Sequence, residues 1–225
     1  RDVLYLPDLT MDEAPVVMRN LARGSNDPAD LKALTHATTD MLQRKDWLKE
    51  PSAGFLEGFD LIVHTQNTAV APTLLGMSDD RSEPKLRQAA FLTLDRLTTA
   101  RPAEVLPLLD AYAATHPNSH LMISNMVARA DVRDAAQRQA VEAYLLNQNR
   151  TPEELRGFAN TFPNASMAVS NNLVTKQQPI PGDELMKRDR AALDIVAGWL
   201  ADPRFERVHP ALRESYQRLS SFVQP

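Results

Sequence analysis

The sequence predicts an all-α protein assembled from stacked helical units, and three observations predict it. Apolar residues recur at helical spacing along the whole chain. Prolines and asparagines punctuate it at regular intervals, and one motif returns three times with a period of about 51 residues. No segment alternates polar and apolar residues long enough to read as a strand.

Taken in order, the chain reads as one repeat domain over 1–225. Helices at about 9–23 and 28–49, within residues 1–50, cover one end; Asp27 ahead of Pro28 supplies a cap and a first helical residue. Segments 51–101, 102–151 and 152–201 follow, each opened or preceded by Pro51, Pro102 or Pro152. A helix at about 209–223, within 202–225, covers the other end with the charged residues between Arg207 and Arg218. Each segment reads as helix, Pro/Asn turn, shorter helix, Asp-containing turn, longer helix.

The apolar stripes define these helices. Phe55, Phe59, Ile62 and Val63 share a face; so do Val105, Leu109, Tyr112 and Ala113; so do Leu155, Phe158, Ala159 and Phe162. Longer stripes run through Leu86, Ala90, Leu94 and Leu97, through Ala136, Ala140 and Tyr144, and through Leu185, Ala192, Val196 and Trp199. Thr151-Pro152-Glu153-Glu154 carries a complete start signal: Thr151 caps, Pro152 is pre-shaped for the first turn, and Glu154 reaches back to close a capping box.

The returning motif is Asp, six residues, Arg, any residue, Ala. It stands at Asp80/Arg87/Ala89, Asp131/Arg138/Ala140 and Asp183/Arg190/Ala192, and nowhere else. Residue frequencies give on the order of 0.2 chance occurrences. The alanines let helices approach closely, and the Asp and Arg are expected to join turns of neighbouring segments. Thr115-His116-Pro117-Asn118 is echoed by Thr161-Phe162-Pro163-Asn164, and faintly by Thr65-Gln66-Asn67; Ser124-Asn125 and Ser170-Asn171 follow the first two at equal distance.

Asp131-Val132-Arg133 before an alanine-rich helix, with the recurring Asp…Arg-x-Ala, resembles the HEAT and armadillo class of α-solenoids over about two thirds of the chain. The resemblance implies a right-handed superhelix and a non-enzymatic scaffold with a concave surface for a protein or peptide. Segments of about fifty residues exceed the usual forty to forty-seven, which keeps a compact bundle open. Groove asparagines of armadillo-like proteins hold an extended peptide backbone, so the resemblance points to Asn125 and Asn171, with Ser124 and Ser170, as binding residues. The bland alternative is that Ser-Asn caps turns or bonds locally between helices.

Composition narrows the classes. Net charge is −4, with 25 basic and 29 acidic residues interspersed, which argues against nucleic acid as a partner. No run reaches the roughly 18 apolar residues of a membrane span. The 225 residues hold no cysteine, which excludes disulfides and thiolate chemistry. That absence, with a first residue other than Met, favours an exported chain.

Catalytic chemistry has one constellation to offer. Glu57, Asp60 and His64 fall on one helical face and would serve an α-helical hydrolase or a metal-assisted enzyme; an ordinary polar helix face explains them as well. His116 and His120 have metal-pair spacing, but Pro117 lies between them. Gly-x-Ser-x-Gly, phosphate-loop and His-Glu-x-x-His motifs are missing. No cofactor or resident metal is expected, and the reading leans away from an enzyme.

Overall fold

In the structure, a computed structural model, residues 9–24, 27–80, 83–165 and 182–223 are described. Among them every regular element is a helix. None is long and apolar enough to cross a membrane. The chain forms two compact units, Arg1–Tyr112 and Ala113–Pro225.

Unit 1 contains α1 (Glu13–Gly24), α2 (Pro28–Gln43), α3 (Lys45–Lys49), α4 (Ala53–Glu57), α5 (Phe59–His64), a 3-10 turn at Thr68–Val70, α6 (Ala71–Asp79), α7 (Pro84–Ala100) and α8 (Pro102–Ala113). Its starts are chemically marked. Asp27 accepts from the Ala29 amide, Ser52 from Phe55 and Glu83 from Lys85, so each helix begins with a satisfied donor. α1 packs on α2, α4 and α5, and α6 pairs with α7.

Two expected helices are each broken once. The 28–49 helix stops at Arg44, whose extended backbone separates α2 from α3. The helix after Pro51 is divided at Gly58, where a Cβ would stand 2.9 Å from the Phe55 carbonyl oxygen and 3.1 Å from the Met41 sulfur. Glycine there lets α2 come close. The first helix begins at Glu13 rather than near residue 9, capped by Thr10.

Unit 2 contains a 3-10 turn at Pro117–Ser119, α9 (His120–Val127), α10 (Ala135–Leu146), α11 (Pro152–Thr161), a 3-10 turn at Phe162–Asn164, α12 (Gly182–Ala201), a 3-10 segment at Pro203–Val208 and α13 (His209–Val223). α9 lies on α11, and α13 packs on α11 and α12. Arg207 donates to the carbonyls of Leu145, Asn147 and Arg150, at 3.2, 2.6 and 3.3 Å, placing a cation at the C-terminal end of α10. The Trp199 indole N–H bonds Glu142 at 2.9 Å and ties α12 to α10.

Both cores are organised by rings. In unit 1 Arg44 lies over Trp47, which meets Phe55 edge-on, and Phe55 meets Phe59 the same way. In unit 2 the chain runs Tyr144, Phe158, Phe162, Trp199, Phe205, with Arg150 over the first ring and Arg204 over the last. Each ring pair adds about 0.5–1.5 kcal/mol to the gain from burial alone.

The element order returns along the chain. α4 and α5, a 3-10 turn, α6 and α7 are followed by α8, a 3-10 turn, α9 and α10; α11 and its 3-10 turn then begin the order again. The predicted stripes are largely inside: Leu86, Ala90, Leu94, Leu97, Leu155, Phe158, Ala159 and Phe162 are all buried. Two of the recurring aspartates, Asp131 and Asp183, have ion-pair partners on their own turn or helix. Asp131 binds Arg133 at 2.7 Å, two residues on, and Asp183 binds Lys187 at 3.4 Å, because a neighbour on its own turn or helix reaches each carboxylate first. Segments are linked here by Arg133, which also bonds Glu184 of α12, and by Arg188 of α12, which donates to the Arg129 carbonyl at 2.8 Å. Ala140 and Ala192 are buried, and Ala89 is half-buried.

Candidate functional site

The site is the seam between α9 and α11. Pro152 fixes the first turn of α11, Thr151 accepts from the Glu154 amide, and the Glu154 carboxylate accepts from the Thr151 amide at 2.7 Å; the capping box forms as the sequence predicted. This holds Glu154 with its side chain 3% exposed. The same carboxylate meets Arg150 Nη1 at 3.2 Å and His120 Nδ1 at 3.1 Å. One turn along α9, the Ser124 hydroxyl donates to the Glu154 carbonyl at 2.6 Å.

Burial would raise the Glu154 carboxyl. Hydrogen bonds from Thr151 and the charges of Arg150 and His120 outweigh it, and the net shift is downward. Glu154 is therefore a buried carboxylate ringed by its own donors, built for docking two helices.

Further along the seam, a Cβ on Gly157 would stand 2.7 Å from Leu121 Cδ1 and 3.2 Å from Ser124 Oγ. α9 leans on α11 where the glycine leaves room, with Leu121 still 46% exposed. Thr161 Oγ1 donates to Asn125 Oδ1 at 2.8 Å. The contacts advance together, His120 to Glu154, Leu121 to Gly157, Asn125 to Thr161, so the two helices run parallel.

In unit 1, side-chain approaches also join one segment to the next. Gln66 accepts from Arg101 at 2.8 Å, Thr68 donates to Glu104 at 3.3 Å, and a Cβ on Gly76 would stand 2.8 Å from the Tyr112 hydroxyl. α6 and α8 thus also run parallel. Gly76 and Asn125 are each the sixth residue of their helix, and Glu104 and Glu154 each the third of theirs. Thr68–Glu104 and Asn125–Thr161 are both separated by 36 residues.

The sequence-predicted positions divide. Asn125 is half-buried with its oxygen taken by Thr161; among the described residues its amide nitrogen has no partner. Ser124 is 0% exposed and donates to the Glu154 carbonyl, a contact between α9 and α11. Ser170 and Asn171 lie outside the described residues. Asp60 is exposed and accepts from Arg96 at 2.6 Å, His64 is exposed at the end of α5, and the Glu57 side chain lies outside the described part. His116 is exposed with its ring nitrogen 2.9 Å from Thr115 Oγ1, while His120 turns to Glu154, so the two do not converge. Among the described residues no group of three or more His, Asp or Glu is placed to hold a metal ion.

Sequence reading saw Glu154 as a cap and missed it as the hub of a buried cluster. The His120 partner lies 34 residues away and carries no local pattern, whereas Arg150 stands four residues before Glu154. No protein-family profile, curated protein or solved structure matches the chain.

Proposed function

We propose that the protein is a non-enzymatic scaffold of the α-solenoid kind, binding a protein or peptide along a surface built from repeated helical segments. One observation supports the reading: in each unit the second helix of a segment runs parallel to the first helix of the next, α6 to α8 and α9 to α11. Such packing leaves each segment's apolar face to be covered by its neighbour, which is how repeat proteins are stabilised and how they extend a binding surface. On the α9–α11 seam, half-exposed Leu121 and the Asn125 amide, one turn apart, offer an apolar contact beside two hydrogen-bond donors. That combination suits an extended backbone, whose carbonyls need donors and whose side chains need apolar contact.

The test is capture from a lysate of the native host by wild type and by Asn125→Asp. Aspartate keeps an oxygen for Thr161 but removes both amide donors, so the fold survives while the proposed recognition is lost. Capture is expected to fall at least tenfold, with a thermal midpoint near that of wild type. Equal capture by both proteins would overturn the seam as the binding surface. The hydrolytic reading of Glu57, Asp60 and His64 is not favoured, because the Asp60 carboxylate is already paired with Arg96.

A further inference from the structure

We draw no further inference here: the strongest candidate, the exposed apolar side chains Leu121, Met186 and Phe222 on α9, α12 and α13 of unit 2, carries nothing because nothing among the described residues shows what covers them.

Discussion

Unit 1 and unit 2 each place a glutamate third in a proline-started helix, yet the two carboxylates live in different surroundings. Glu104 is 46% exposed and bonded to Arg101 and Thr68. Glu154 is 3% exposed and shared by Arg150, His120 and Thr151. Their position is shared; the local device is not, since Glu154 closes a capping box with Thr151 whereas Glu104 accepts from the Arg101 side chain. A solvated ion pair is screened and contributes little. A buried one is expensive to break, because the partner left behind has lost its water. Unit 2 thus turns a helix cap into a fastening between helices, whereas unit 1 keeps its glutamate at the surface.

The aromatic cores sharpen the same contrast. Phe158 sits between Tyr144 and Phe162, whereas Phe59 terminates its ring chain at Phe55. Phe158→Ala is expected to cost about 3–5 kcal/mol, and to exceed Phe59→Ala by about 1 kcal/mol for the additional ring partner. Urea unfolding of each variant measures both. Equal costs would break the contrast between the cores.

Removal of the glutamates comes next in size. Glu154→Ala should cost about 3 kcal/mol by stranding buried Arg150, while Glu104→Ala should leave the unfolding midpoint unchanged within error. A large loss on truncating Glu104 would refute the difference drawn between surface and interior.

Acid provides a subtler probe. The Glu154 carboxyl titrates below its ordinary value in the folded chain. The stability it contributes is therefore present above the unfolded carboxyl pKa and lost as pH falls through the lowered folded one. Glu154→Gln should flatten the fall in thermal midpoint on acidification; Glu104→Gln, at an exposed position, should flatten it less. Parallel curves for wild type and Glu154→Gln would contradict the assignment.

The smallest effect concerns Gln66, whose φ is 51°, a left-handed conformation that glycine adopts without strain. Gln66→Gly relieves the strain but loses the exposed bond to Arg101, so a gain within about 1 kcal/mol is expected. A clear loss would mean that the Arg101 contact matters more than its exposure suggests.

Local chemistry was legible in the sequence. Asp27-Pro28, Thr151-Pro152 and the stripe of Leu86, Ala90, Leu94 and Leu97 act within a few residues, and the structure places them as expected. The breaks at Arg44 and Gly58 were hidden. Nothing in the periodicity near Phe55 announces that Met41 needs the space a Cβ would fill. The seam was half legible: Asn125 and Thr161 each stand in a repeated motif, but nothing in the sequence pairs two residues 36 apart. The Ser124 bond to the Glu154 carbonyl was not legible, because a hydroxyl serving a distant carbonyl and one offered to a partner look alike in sequence.

Parallel stacking of one segment's second helix on the next segment's first helix is tested most directly by paired cysteines, introduced into a chain that has none. With a short thiol cross-linker, Asn125→Cys/Thr161→Cys is expected to close rapidly and Asn125→Cys/Glu153→Cys to stay open. Fast closure of the second pair with the first left open would mean that α9 and α11 run in opposite directions.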